Sequence, residues 1–462
     1  MKKSSLSLPT LAALALLAAG ALQAQPSLER STVKKPQAVA PQPTIRTSRE
    51  ATLIRAGSTN KVACVVDPNR ELFITAVSVV EDCFRTTWAG PCPVPVAPAT
   101  RGAWTFGKLV EGIFGTNNPV ILSNEVSRFL GEWKFNKVVN GELVPARPAV
   151  NAQIINPWLA ASGGAQLNMK LAPFRLLAIV ARLDLRQNAP WTAGEGRFVF
   201  NLLDPAGNPT QYLLIMEYGL DAAGCADVLT WANRWHNLGT IPFGPNYNAA
   251  LQAVTDAFTS IGASPAKPNG SAINQVRTDE IFLAAPWELR EFTLQAGGPP
   301  AQLLMSPVAQ TPENAHQHTA LLANYENVNA PAIMGGTYNV PLLWAAVPFK
   351  GGASSHTLNF DWDGPPAACT SIPPAVRHEF SLNTCNGCHG AETGTTFKHV
   401  QPRNLGFPSV LSNFLTGGPV VVDMCGVGHT FSDIARRQTD LCNLVTSPCS
   451  TLSTEPPVHF VH

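Results

Sequence analysis

Residues 197–216, RFVFNLLDPAGNPTQYLLIM, decide the fold class. Phe198-Val199-Phe200 and residues 212–216 are runs of aromatic and aliphatic side chains suited to a buried pleated surface. Between them, Asp204-Pro205-Ala206-Gly207-Asn208 gathers the residues that turns require, so the stretch predicts a β-hairpin. Further out, residues 174–185 form a long β-rich run that ends in alternating Arg182, Asp184 and Arg186. Residues 277–283 and 288–294 predict two successive strands. Helical spacing appears in Val126, Phe129, Leu130 and Trp133, with Ser123 as the expected cap. It appears again in Leu251, Val254, Phe258 and Ile261, closed by Gly262. Hairpins mixed with helices, and no βαβ rhythm, predict an α+β fold. No internal repeat is present.

The chemistry concentrates in Cys385-Asn386-Gly387-Cys388-His389. C-x-x-C-H is the spacing of covalent haem attachment. Two thiols one helical turn apart reach the two vinyl groups of one porphyrin, and the adjacent imidazole meets the iron from the proximal side. The reading is one haem c per chain, with Cys385 and Cys388 as thioethers and His389 as proximal ligand. For the sixth iron position the candidates are His399, ten residues beyond His389, and Met424; His399 is favoured, and His378 and His429 stay open. A Met/His pair would raise the potential. Two rivals compete for the motif. One is a tetrahedral zinc site built from Cys385, Cys388, His389 or His399, and a further Cys or His. The other is a redox-active Cys385–Cys388 disulfide, which lacks a surrounding thioredoxin-like pattern.

Residues 1–24 read as an export signal: Lys2 and Lys3 precede a short apolar core that ends at Ala24. That apolar run is shorter than the ~20 residues needed to span a bilayer, so no membrane span is expected. Cleavage would remove two of 32 basic residues and leave 30 against 31 acidic ones. The balance offers no basic excess for nucleic acid. Eight of the ten cysteines lie outside the motif, and an even remainder in an exported chain predicts disulfides, with Cys83–Cys92 and Cys442–Cys449 as local pairs. Residues 25–48 read as a disordered lead-in, 49–364 as an α+β domain of unassigned activity, 365–374 as a Pro-rich linker and 375–462 as the haem c segment. In that last segment, Ser409 precedes a helix bearing Val410, Leu411, Phe414 and Leu415, and Ser432 or Asp433 caps a final helix.

The larger part carries no G-x-S-x-G, H-E-x-x-H, Walker or dinucleotide motif. His316 and His318 read as surface residues on a helix, and Asp361-Trp362-Asp363-Gly364 as a solvated turn. Asp279, Glu280, Glu288 and Glu291 read as partners of Arg277 and Arg290 rather than as acid/base pairs, and the ten tryptophans mainly as core.

The segment around Cys385-Asn386-Gly387-Cys388-His389 resembles mono-haem cytochrome c domains over about 85 residues. The wider chain resembles a group of secreted bacterial proteins that end in a CxxCH segment. That likeness rests on APFRLLAIVARLDLR (172–186), AGEGRFVF (193–200), RTDEIFLAAPWELREF (277–292) and FSLNTCNGCHGAETGTTFKHV (380–400). The first resemblance implies a mainly helical haem segment. The second implies that both parts work as a unit. The function expected is one-electron transfer outside the cytoplasm with a redox partner protein. The alternatives are a haem-dependent oxidoreductase or peroxidase, and a secreted binding or structural protein whose CxxCH holds zinc or a disulfide.

Overall fold

In the computed structural model the hairpin is longer than its sequence signature, with Trp191–Leu203 running antiparallel to Pro209–Asp221. Its turn is built as the sequence implies. Asp204 Oδ1 accepts from the Ala206 and Asn208 amides at 2.9 and 2.8 Å, and Gly207 takes φ 83°, which favours glycine. The structure describes residues 64–447 apart from 89, 93–99, 189, 297 and 357–359. The expected signal (1–24), the lead-in (25–48) and Cys449 lie outside the described residues.

One nine-stranded antiparallel sheet organises the chain: β1 (Phe73–Ile74), β2 (Phe174–Arg182), β3 (Gln187–Asn188), β4 (Trp191–Leu203), β5 (Pro209–Asp221), β6 (Ile273–Glu280), β7 (Trp287–Gln295), β8 (Gln302–Ser306) and β9 (Ser354–His356). The order is β1-β2-β4-β5-β6-β7-β8, with β3 on β4 and β9 on β7. The helices that matter here are α1 (Phe106–Phe114), α2 (Pro119–Gly131), α3 (Cys225–His236), α4 (Pro245–Thr259), α5 (Ala320–Met334), α6 (Pro374–Leu382), α7 (Cys385–Cys388) and α8 (Asp433–Thr446). The fold is α+β, as the hairpin predicts. Among the described residues no helix is long and apolar enough to cross a membrane.

Alternation along the strands gives the sheet two faces. Phe198, Phe200 and Leu202 of β4 join Leu214, Met216 and Tyr218 of β5 in the core formed with Leu109, Ile113, Phe129, Leu251 and Phe258 of the helices. Each such side chain contributes about 1.5–3 kcal/mol by leaving water. On the opposite face Val180, Val199 and Leu213 pack with Leu382, Cys388, Val400, Phe414, Leu415 and Ile434. The segment after residue 375 therefore packs on the sheet, and all the described residues belong to one compact unit.

Several local expectations change. Helix α2 begins four residues before Ser123. Asn118 Oδ1 caps it by accepting from the Val120 and Ile121 amides, Pro119 fits the first helical position, and buried Ser123 instead accepts from the Leu167 amide. The helix expected after Ser409 is the single turn Asn413–Thr416, with Val410 exposed. Ser432 precedes α8 but makes no side-chain cap bond. His316 closes a short 3₁₀ turn and donates through Nε2 to the Pro348 carbonyl, whereas His318 meets Asp361, so the two imidazoles diverge. Cys83 pairs with Cys92, but Cys442 pairs with Cys64, and Cys369 pairs with Cys425. Cys225 is disulfide-bonded as well.

Peptide mapping without reduction is expected to recover Cys64 linked to Cys442. Replacing both by serine removes a bond between residues 378 apart and should cost about 2–5 kcal/mol in urea denaturation. A second prediction concerns Glu326 of α5. It is fully buried, neither carboxyl oxygen has a hydrogen-bond partner, and burial raises its pKa well above the usual value against the opposing pull of Arg377. A raised folded-state pKa contributes stability that is present below about pH 4.5 and lost as pH climbs toward the folded value. Glu326→Gln should therefore be more stable than the parent at pH 8 and indistinguishable near pH 4, read from urea midpoints.

Candidate functional site

The odd-numbered residues of the central strands line a small cavity of about 80 Å³ between the sheet and the C-terminal segment. Val199, Leu213, Ile215 and Leu289 form its apolar floor, and His389, His399, Val400 and Leu415 close it from above. Arg182, Arg197, Arg277, Glu217 and Asp279 place charge on the same floor.

These charges are paired because an isolated charge in such a place costs several kcal/mol. Arg277 bridges Glu217 and Glu291 at 3.1 and 2.9 Å. The two carboxylates more than offset the burial of its guanidinium and raise its pKa. Arg197 meets Glu195 at 2.7 Å, and Arg182 forks onto Asp184 at 3.0 and 3.1 Å. Arg436 of α8 reaches the same Asp184 at 2.8 Å, so the last helix is tied to the end of β2. Although burial opposes it, the surrounding arginines hold the Asp184 carboxyl well below the usual range. Arg437 also lines the cavity; it pairs with Asp433, and its buried Nη1 has no hydrogen-bond partner.

The CxxCH residues sit on α7, a single turn capped by Thr384, whose Oγ1 accepts from the Gly387 amide at 3.1 Å. Cys385 and Cys388 are buried free thiols, while every other described cysteine is in a disulfide. Burial pushes the Cys385 thiol up to about 12 and Cys388 well above its ordinary value, so both are protonated at neutral pH. Cys385 packs with Trp287, Leu289 and Val308, and Cys388 with the apolar cavity floor.

His389 is held from three sides. Its Nδ1 donates to the Phe397 carbonyl at 2.5 Å, the Trp287 ring stacks on it at 5.2 Å, and Asp279 Oδ2 lies 3.5 Å from Nδ1. A carbonyl only accepts, so the proton is on Nδ1 and Nε2 keeps its lone pair. Burial lowers the His389 pKa and keeps the ring neutral. Asp279 is fixed in turn by Lys398 Nζ at 2.8 Å and Trp287 Nε1 at 2.6 Å. This is how metal-binding imidazoles are commonly oriented by their outer neighbours.

Of the two sixth-position candidates, His399 lies in the cavity wall. Its Nδ1 is 2.8 Å from Ser412 Oγ and its Nε2 is 3.2 Å from Cys388 Sγ. Its ring centroid is 4.5 Å from that of His389. Two ligands on opposite sides of one metal need about 4 Å between their nitrogens alone, with both rings lying beyond that. His399 must therefore swing away from Cys388 to serve opposite His389. Met424 lies elsewhere, 38 % exposed, with its sulfur against Cys369. His378 and His429 stack on one another and face Glu392 and Asp423. Among the described residues, Cys385, Cys388, His389 and His399 do not bring three ligand atoms within 4.8 Å of one another, as a preformed zinc site would.

The expected ion pairs Arg277–Glu291 and Arg290–Glu288 are present, and Glu280 pairs with Arg147. Asp279 differs: it supports His389. The Asp361–Gly364 stretch is not a solvated turn. Trp362 and Asp363 are fully buried, and Trp362 Nε1 donates to Asn386 Oδ1 inside the CxxCH motif at 2.9 Å. No protein-family model matches the chain, and no curated protein or solved structure matches it.

The cavity floor yields a direct test. Arg277→Met would leave Glu217 and Glu291 buried without their shared cation and should cost about 3–5 kcal/mol. Adding Glu291→Gln should recover part of that loss in urea denaturation.

Proposed function

We propose that this is an exported c-type haem protein, with Cys385 and Cys388 as the thioether residues, His389 as the proximal ligand and His399 as the sixth. One observation carries the reading: His389 lines the cavity with Nδ1 committed to the Phe397 carbonyl, which leaves Nε2 as the atom for iron. The donor chemistry matches the group, but the cavity of about 80 Å³ is smaller than a porphyrin and neither cysteine lines it, so the C-terminal segment must shift on the sheet to admit haem. Two unpaired thiols one helical turn apart, an imidazole of fixed tautomer, apolar walls and an unpartnered Arg437 Nη1 suit a flat apolar macrocycle with an anionic edge. Bound there, haem supplies reversible one-electron exchange between Fe(III) and Fe(II).

The chain's own residues set the conditions for that exchange. Val199, Leu213, Ile215 and Leu415 exclude water and lower the local dielectric. Asp279, Trp287 and the Phe397 carbonyl prevent His389 from rotating. The expected role is electron transfer with a partner protein outside the cytoplasm. A second reading, an oxidoreductase with an open sixth position, is favoured by the close approach of His399 to Cys388 and His389.

Protein secreted from a host with cytochrome c maturation machinery is expected to give a c-type pyridine haemochrome. It should hold one haem iron per chain that survives acid–acetone extraction, and Cys385→Ala with Cys388→Ala should abolish it. His399→Ala should convert a low-spin spectrum to high-spin, and Met424→Ala should leave it unchanged. A high-spin spectrum in the unmutated protein would select the open-site reading. Colourless or extractable product would contradict haem attachment.

A further inference from the structure

Beyond the cavity, a second cluster of ligand-type side chains sits where three elements meet. His378 comes from α6, Glu392 from the turn Ala391–Thr393 that follows the CxxCH motif, and Asp423 and His429 from the hairpin Val421–Val422 and Gly428–His429. One ligand atom from each lies within 4.8 Å of all the others. The carboxylates are almost completely buried, and the imidazole side chains are 14 % and 18 % exposed.

We propose that His378, Glu392, Asp423 and His429 form a site for a divalent transition-metal ion, with zinc matching the nitrogen and oxygen set. The imidazoles lie face to face, 3.5 Å between centroids and 5° from parallel. Arg377 is the only lysine or arginine hydrogen-bonded to those carboxylates among the described residues, meeting Glu392 at 2.7 and 2.8 Å and Asp423 at 2.9 Å. Two carboxylates and two imidazoles thus share one guanidinium, a donor-rich cluster that a divalent cation complements. Metal–ligand bonds of about 2.0–2.2 Å bring the four groups together with small side-chain movements.

The surroundings hold the ligands in place. Asp423 Oδ1 accepts from the Cys425 and Val427 amides, both at 2.9 Å, and the Cys369–Cys425 disulfide anchors the hairpin. Arg377 donates to the Asp361 carbonyl at 2.6 Å, next to the Trp362 that contacts Asn386. Four protein ligands and no thiolate describe a closed site that would brace the turn three residues beyond His389. This inference is independent of the haem reading.

Zinc titration of the full secreted chain by calorimetry, with Co²⁺ absorption as the probe of coordination, tests it. One ion per chain is expected, with affinity lowered at least about tenfold in His378→Ala and in His429→Ala. The Cys385→Ala, Cys388→Ala protein should bind as before. Circular dichroism confirms folding of each variant, and His429→Gln, the milder change at a partly exposed ring, serves if an alanine variant unfolds. Absence of saturable binding, or binding unaffected by the histidine changes, would overturn the assignment. Loss of the Co²⁺ spectrum only in the cysteine variant would move the ion to the CxxCH motif and overturn it equally.

Discussion

A β-strand sends successive side chains to opposite faces, and here both faces of one antiparallel sheet are buried. Most antiparallel sheets of this kind can leave one face in water. This one has helices over the even residues of β4 and β5 and the C-terminal segment over the odd ones. The second face is not purely apolar, because Arg182, Arg197, Glu217, Arg277 and Asp279 point into it. Such groups are tolerated only when paired, and that requirement fixes much of the remaining architecture.

The pairing joins parts of the chain that are distant in sequence. Asp184 at the end of β2 holds Arg436 of α8, Arg186 forks onto Asp440 at 2.7 and 2.8 Å, and Asp279 of β6 holds Lys398. Disulfide Cys64–Cys442 adds a covalent tie between the first described residue and the last helix. The CxxCH turn is thus held against a stiff sheet, and His389 takes its orientation from a strand carboxylate and a strand tryptophan. Sites supported by regular elements hold their geometry more closely than sites supported by loops alone.

The fold class was legible because the decisive signals are local. Asp204 to Asn208 carry their own turn chemistry, and the β4–β5 hairpin follows from them. The apolar faces of α2 and α4 were legible for the same reason, through helical spacing. Ser123 misled because Asn118-Pro119 is the stronger start signal and lies just upstream. Cys442 misled because proximity to Cys449 in sequence says nothing about Cys64 in space. At the candidate site, the spacing placed Cys385, Cys388 and His389 together on one turn, and the structure brings His389 and His399 to the cavity wall. Asp279, Trp287 and Trp362 were not, since their roles depend on strand register and on a long-range approach. The alternation of Arg277 with Asp279 was the available clue, because it places both on one face.

In the proposed haem protein, iron would sit between the sheet and the CxxCH segment. Anomalous diffraction at the iron edge, on crystals of the matured protein, tests it most directly. One iron peak per chain is expected there, beside His389 Nε2, with density continuous to the sulfurs of Cys385 and Cys388. An iron peak outside the cavity, or a cavity without iron in protein that carries haem, would contradict it.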